Sequence, residues 1–394
     1  MSLSYWLDQS KEETIPKDIV IIGGGIAGMS TAYWLQKYDP TLQIALVEKY
    51  EFGSGATGRN AGFITCGSVE HFNRLVGKHG KDEALEIWKF SEDNLTFLKE
   101  EIIQDNAENL LFEAKGSFSL AGAKSEFIEL QDSAKLMKEL GVNVEVINEM
   151  DIKTRTGGVS FVGGVKYLDD ASVHPIKLLH HMKGRIEENG KNVTFHENNE
   201  VHKIEYRGDN KVIHTTKNKF EAPIVVFATN GYSPLLENFF KDKIFPTRGQ
   251  VLATEAVPRF MEAPCYANFV LDYFRQLPTG QVVIGGFRQL QKDVETGYSD
   301  ETSDVIQEAL EKFLRDHIPA VREAKITHRW SGVMGFSVDG QPMVWALPAD
   351  HQLYFVGGLT AHGIGLAFHS GKALADSLFE VNPIPGFLSA KRLQ

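Results

Sequence analysis

Asp18-Ile19-Val20-Ile21-Ile22-Gly23-Gly24-Gly25-Ile26-Ala27-Gly28 is the stretch that decides the fold. A short β-branched apolar run that passes straight into glycines reads as a strand buried on both faces of a parallel sheet. Helical character follows from Gly25 to Lys37, and Gln43 to Glu48 reads as a second strand, so residues 17–48 form one strand–helix–strand unit. Gly23, Gly25 and Gly28 occupy the glycine positions of G-x-G-x-x-G. The first makes a tight turn, the second lets backbone approach a pyrophosphate, and the third lets helix and strand pack closely. The opening turn, Ile26 and Ala27 included, offers free N–H groups and the positive end of the helix dipole to that pyrophosphate. Glu48, twenty residues after Gly28, ends the second strand with Lys49 beside it, where a carboxylate accepts hydrogen bonds from a ribose diol. The motif calls for a dinucleotide without separating FAD from NAD.

Outward from this unit, residues 50–67 are rich in Gly, Ser, Thr and Asn and read as a structured loop, followed by helical periodicity over 75–103. Strands are expected at 116–120 and 144–147 around a helix at 125–140, then a turn-rich region at 156–170 and a helix over 175–188 with Pro175 in its first turn. Strands at 193–196, 200–206 and 212–216 suggest a meander. Ile224 to Thr229, ending in Asn230-Gly231, and Leu353 to Val356, ending in Gly357-Gly358, repeat the apolar-run-into-glycine pattern of the first strand. Residues 250–256, 270–276 and 281–286 suggest an antiparallel sheet, and helices are expected over 301–315 and 365–379.

The chain has 394 residues, 42% of them apolar and 24% charged, a globular composition large enough for two domains. A net charge of -11 with no basic cluster gives nucleic acid nothing to bind. Cys66 and Cys265 stand far apart and outside any ligand spacing, so neither a disulfide framework nor a metal site is expected. No apolar run reaches the roughly 18 residues that span a bilayer. The first residues, with Tyr5-Trp6-Leu7 as their apolar cluster, lack the pattern of a signal peptide, so the expected compartment is the cytoplasm.

The fingerprint, Gly55-Ala56-Thr57-Gly58-Arg59-Asn60-Ala61-Gly62, Ala228-Thr229-Asn230-Gly231 and the C-terminal Gly357-Gly358 with His362-Gly363-Ile364-Gly365 together resemble the D-amino-acid-oxidase-like superfamily of FAD-dependent amine oxidoreductases. The similarity extends over nearly the whole chain and, in Tyr273-Phe274-Arg275 and Val283-Ile284-Gly285-Gly286, is strongest toward its gamma-glutamylputrescine-oxidase branch. The resemblance implies an α/β plus α+β architecture: a Rossmann-like FAD-binding domain of the glutathione-reductase type, interleaved with an antiparallel-sheet substrate domain. The expected division gives residues 17–85, 145–240 and 330–385 to the first and 86–144 and 241–329 to the second. It implies noncovalent FAD held also by Thr57, Gly58, Arg59, Asn60 and Ala61, by the backbone at Val201, by Thr229, Asn230 and Gly231, and by Gly332. Gly363, Ile364, Gly365 and Leu366, opening the last helix, are expected near the flavin, where a helix N-terminus stabilises the negative charge of reduction.

The implied reaction is oxidation of a primary or secondary amine to an imine, with O2 or another acceptor reoxidising the flavin. His362 is the candidate for tuning the amine's protonation, and Trp330, Met334 and Phe336 for packing on the substrate. The arginine that holds a substrate carboxylate in glycine oxidase falls here at Val333 or Met334, and the lysine of sarcosine oxidase at Val283. These departures point to a larger amine bound by apolar and aromatic contacts and leave oxidase and dehydrogenase both open. A hydroxy-acid or glycerol-phosphate-type dehydrogenase is the alternative and requires a cationic clamp from Arg248, Arg275 or Arg288. A flavin-binding protein without turnover is the third reading.

Overall fold

The computed structural model describes residues 14–268 and 272–393. Ile19–Ile22 is fully buried and pairs in parallel with Ile44–Val47 on one side and Ile224–Phe227 on the other. Ile224–Phe227 pairs in parallel with Leu353–Phe355, and Val193–His196 extends the opposite flank beside Ile44–Val47. Met343–Leu347 closes the six-stranded sheet with an antiparallel edge. The three runs that end in glycine are therefore neighbours. Parallel strands share one C-terminal edge, so their glycine loops meet there.

Two helices leave that edge, Ile26–Tyr38 after the first strand and Gly363–Leu378 after Asp350–Gly357. They cross closely: a Cβ at Gly371 would come within 2.8 Å of the Ser30–Thr31 backbone. Trp34 donates its indole N–H to the Phe368 carbonyl at 3.0 Å, and the Tyr33, Trp34 and Phe368 rings cluster around the crossing. Both helices are buried nearly all round, as helices packed between sheet and protein are.

An eight-stranded sheet forms the opposite wall, in the order Ile326–Ser337, Ile244–Thr254, Val282–Gly285, Asp272–Gln276, Cys265–Ala267, Ser117–Ala121, Gly163–Tyr167, Val144–Asn148. It is antiparallel except where Cys265–Ala267 meets Ser117–Ala121. The expected domain division gives 145–240 to the cofactor unit, yet Val144–Asn148 and Gly163–Tyr167 pair in this second sheet. Gly163–Tyr167 lies where turns are expected; its Gly-Gly start hides the alternation that marks a strand. Helical periodicity over 75–103 resolves into Val69–His79 and Lys81–Phe97, broken at Gly80, whose φ of 82° no helix tolerates, and continues as a π-helical stretch over Leu98–Ile103. The expected meander divides: Val193–His196 joins the parallel sheet, while Val201–Arg207, Asn210–Thr215, Lys219–Ala222 and Thr14–Pro16 form a four-stranded sheet. Val270, Leu271 and the Tyr5–Leu7 cluster lie outside the described residues. Among the described residues no helix is long and apolar enough to cross a membrane.

Gly28 carries the closest helix–strand approach, since a Cβ there would sit 2.0 Å from the Gly23 carbonyl oxygen. Gly28→Ala should lower stability by about 1–3 kcal/mol, the cost of overpacking, and weaken FAD retention by pushing the helix off the turn. Thermal unfolding and the flavin absorbance of the purified variant check this; wild-type values in both would refute it.

Candidate active site

A cavity of about 1130 Å³ runs between the two sheets along the shared C-terminal edge. At one end it is lined by Gly23, Gly25, Ile26 and Ala27, at the start of a helix with no side-chain cap. Thr57 Oγ1 accepts from the Ile26 amide at 2.9 Å; among the described residues the amides of Gly25 and Ala27 have no acceptor. The Glu48 carboxylate is fixed from two sides, accepting from the Gly24 amide at 2.7 Å and the Tyr50 amide at 3.0 Å. Each oxygen keeps a lone pair for a ligand. Lys49, also on the cavity wall, pairs with Glu200 at 2.9 Å, and Val201 lines the same end.

The residue 56–61 loop closes over the middle. Asn60 ties the loop to itself, donating to the carbonyls of Ala56 and Thr57 and accepting from the Gly62 amide at 2.6 Å. Arg59 donates to Ser54 O at 2.8 Å and Ser331 O at 2.9 Å, which fastens the loop to strand Ile326–Ser337, and its outer nitrogen lies 3.6 Å from Asp300. Gly332 faces it, where a Cβ would fall 2.7 Å from the Arg59 Cβ. Ala61, Thr229, Asn230 and Gly231 complete this section, with Asn230 Oδ1 accepting the Gly358 amide at 3.0 Å and so joining the second and third glycine loops.

At the far end a second uncapped helix N-terminus opens on the cavity through Gly363 and Ile364, preceded by His362. Thr360 and Ala361 reach it at φ of 44° and 68°, a left-handed pair that costs both residues and aims the helix start inward. The His362 ring packs 4.7 Å from that of His71. Protein crowds His362 everywhere but on its cavity side, and burial, with the Arg74 charge adding to it, pushes the imidazole down to about 4. His71 is lowered in the same way. Both rings are neutral near pH 7.

Five expected site residues lie off the cavity wall. Gly28 and Gly58 are packing points: a Cβ at Gly58 would strike Gly53 O at 2.4 Å. Gly365 lies against the Thr65 backbone, with its Cβ position 2.0 Å from Thr65 O, and Leu366 turns into a separate small pocket beside Cys66 and Trp88. Strand alternation puts Gly332, Met334 and Phe336 on the cavity face, while Trp330, further back on that face, is covered by the loop and donates to Arg59 O at 3.0 Å. Cys66 belongs to the small pocket, 3.2 Å from Trp88 O, and burial pushes its thiol up.

The arginines separate on geometry. Arg248 forms a bidentate pair with Glu295 at 2.8 and 2.9 Å, and Arg275 is buried, donating to Gly62 O and Val173 O. Arg288 lines the cavity with its guanidinium 4.7 Å over the Phe336 ring, and no described residue supplies it a carboxylate or carbonyl. Burial lowers its pKa, with the opposing pull of Tyr273 and Glu295 smaller. His71, Thr65, Tyr266, Tyr273, Tyr232 and Tyr298 also line the cavity; in the sequence Tyr273 stands out only in the family motif and the other five not at all. They come from the second sheet, the residue 69–79 helix and connecting loops. Single aromatic residues on strands carry no motif.

A cavity with a helix start at each end that lacks its own side-chain cap, and a carboxylate fixed at the end of the second strand, defines a dinucleotide-binding protein. The family model for DAO, FAD dependent oxidoreductase, matches residues 18–377, and the chain belongs to that family. FAD fits: Gly23 to Ala27 would meet its pyrophosphate, Glu48 its ribose, and Gly363 and Ile364 its flavin ring. The chain is 24% identical over 367 residues to a probable oxidoreductase OrdL of Rhizobium meliloti, covering 91% of this chain and 82% of that one. It is 23% identical to the gamma-glutamylputrescine oxidoreductase of Escherichia coli, over 93% of this chain and 84% of the other. In fold it superimposes on glycine oxidase from Geobacillus kaustophilus with a TM-score of 0.81 at 20% identity, covering 95% and 97% of the two chains.

Because the folded chain refuses a proton at His362 down to about 4, while an unfolded chain accepts one near ~6.5, stability is full above that range and falls as pH drops through it. His362→Asn, which cannot take the proton, should show a smaller fall in thermal midpoint between roughly pH 7 and pH 5 than the wild type. Equal falls would show that His362 is not held neutral.

Proposed function

We propose that this FAD-dependent oxidoreductase converts a primary or secondary amine bearing an anionic group to the corresponding imine. The relatives named for glycine, sarcosine and gamma-glutamylputrescine support the amine. In this chain the supporting observation is Arg288, a partly buried guanidinium facing the cavity without a protein acceptor. An unpaired cation in a low-dielectric wall is stabilised by a ligand anion, and a planar guanidinium suits a carboxylate. The arginine that glycine oxidase carries at the position of Val333 or Met334 thus has a substitute here on the loop that follows strand Val282–Gly285. Arg288 also serves the hydroxy-acid reading, which the same test separates.

Bound FAD supplies the two-electron acceptor. The chain's own residues orient the amine: Arg288 with Tyr273 takes the anion, Met334 and Phe336 supply apolar contact, and neutral His362 accepts a hydrogen bond from the amine nitrogen. The N-terminus of helix Gly363–Leu378 supports the negative charge that reduction creates. Val283 packs with Ala61, Val251 and Trp330 in an apolar cluster, so no lysine assists reoxidation from that strand, and the acceptor is O2 or another oxidant. Both cysteines are free, which suits a reducing cytoplasm.

An anaerobic panel of amines, amino acids, N-methyl amino acids, polyamines and hydroxy acids should bleach the flavin only with amines, and best with those carrying a carboxylate. Bleaching by hydroxy acids alone selects the dehydrogenase reading, and bleaching by none selects a protein without turnover. Recolouring on admission of air identifies an oxidase. Arg288→Leu should raise the KM of carboxylate-bearing amines by ~10–100-fold, the worth of a hydrogen bond to a charged group, and leave uncharged amines unaffected. An equal effect on both classes would remove Arg288 from substrate recognition.

A further inference from the structure

Residues 295–303 join the turn that carries Arg288 to the helix Asp304–His317, and both ends of this loop are tied to strand Ile244–Thr254. Glu295, whose side chain is fully buried, accepts two hydrogen bonds from Arg248 at 2.8 and 2.9 Å and a third from Gln250 Nε2 at 2.9 Å. Gln250 Nε2 also donates to Ser303 Oγ at 3.0 Å, while Gln250 Oε1 accepts from the Ser303 amide at 3.0 Å. Backbone bonds run alongside, from the Arg248 amide to Glu295 O at 2.9 Å and from the Gly297 amide to Pro246 O at 3.1 Å. One strand therefore fixes where the loop starts and where it ends.

From that base the loop reaches the opposite wall. Tyr298 and Asp300 line the cavity. The Tyr298 ring lies 5.4 Å from the Tyr232 ring at an interplanar angle of 32°, and the Asp300 carboxylate lies 3.6 Å from the outer nitrogen of Arg59. Tyr232 directly follows the Asn230-Gly231 turn after the parallel strand Ile224–Phe227, and Arg59 belongs to the loop that Thr57 joins to the first helix start through the Ile26 amide. Both contacts thus run from the second sheet to the cofactor side, at the middle of the cavity, between Glu48 at one end and Gly363 at the other. An exposed ion pair and a half-exposed ring pair are each weak, and alone would not repay the entropy of ordering a loop. A buried ion pair adds little stability of its own, since desolvation offsets its attraction; what it supplies is a fixed geometry. Here it orders the loop in advance, so that weak contacts across the cleft suffice to hold it there.

We propose that residues 295–303 form the outer wall of the FAD site, with Tyr298 on Tyr232 and Asp300 on Arg59 closing the cleft over the bound cofactor and setting how slowly it leaves. A dinucleotide extended between Glu48 and Gly363 has to pass this loop to escape. The second sheet thereby takes part in holding the cofactor as well as in facing the substrate. Arg248, Gln250 and Glu295 are positioning residues that act through the loop. The inference rests on FAD binding and is independent of the amine reading.

The test dilutes FAD-loaded enzyme into flavin-free buffer and follows the rise of free-FAD fluorescence, which reads release without turnover. Tyr298→Ala should speed release by about 2–10-fold, the worth of an aromatic pair, and Tyr298→Phe, which keeps the ring, should stay at the wild-type rate. Tyr232→Ala should speed release as well, and combining it with Tyr298→Ala should give no further gain, because both remove one contact. Asp300→Asn should speed release at low salt, and its difference from the wild type should vanish at high salt, where an exposed pair is screened. Glu295→Gln should speed release at least as much as Tyr298→Ala, since it loosens the base under both contacts; the exposed-loop variants decide the matter if it does not fold. Wild-type release in Tyr298→Ala and Asp300→Asn, or effects of Tyr232→Ala and Tyr298→Ala that multiply, would overturn the wall. Wild-type release in a folded Glu295→Gln would overturn the positioning role. An amine panel that bleaches nothing would overturn the amine reading and leave these release rates unchanged.

Discussion

Strands in a parallel sheet present their C-terminal ends on one side, and here three of them that run into glycine stand next to one another. Ile224–Phe227 pairs with Ile19–Ile22 on one flank and Leu353–Phe355 on the other. That pairing brings Gly23 to Gly25, Thr229 to Gly231 and Gly357-Gly358 together across hundreds of residues of sequence. The helices that leave the two outer strands begin at the same edge, and their crossing at Gly371 fixes the distance between their N-termini. Neither N-terminus is capped by the side chain of its own N-cap residue; Thr57 takes the Ile26 amide, and among the described residues the Gly25 and Ala27 amides are left for a ligand. The cavity is what remains between this edge and the second sheet.

Charge within the cavity is arranged by what each group lacks. Glu48 is anchored by two backbone amides, and Arg59 by two carbonyls, so both are held in place before any ligand arrives. Among the described residues Arg288 is held only by the face of Phe336, and its polar atoms are uncommitted. His71 and His362 are packed against each other and kept neutral by desolvation. Asp170, off the cavity wall and 3% exposed, has its carboxyl pushed up to about 8 by the same force acting on a group of opposite sign. Burial thus removes charge from the acid and from the two histidines, while Arg288 lines the cavity as a cation beside Phe336.

Residues 18–28 were legible because a buried strand, a glycine turn and a helix start each have a strong local signature, and the same signature recurs before Asn230 and at Gly357. Gly332, Met334 and Phe336 could be placed together because strand alternation sends every second side chain to one face. Trp330 obeys that alternation and still lies off the cavity, since the loop that covers it comes from residue 59. Gly28, Gly58 and Gly365 belong to the right motifs but act by close packing, which a motif does not distinguish from ligand contact.

The sequence by itself determined the dinucleotide turn, the parallel core and the family, because those rest on short-range geometry: glycine where backbone must approach closely and β-branched runs where both faces are buried. Tertiary structure alone decided which side chains the cavity receives. Arg288 was one of three arginines until Arg248 met Glu295 and Arg275 met two carbonyls, and Asp170 was one carboxylate among many until folding buried it against Ser117. Whether a charge is paired, and whether water reaches it, depends on neighbours distant in the chain.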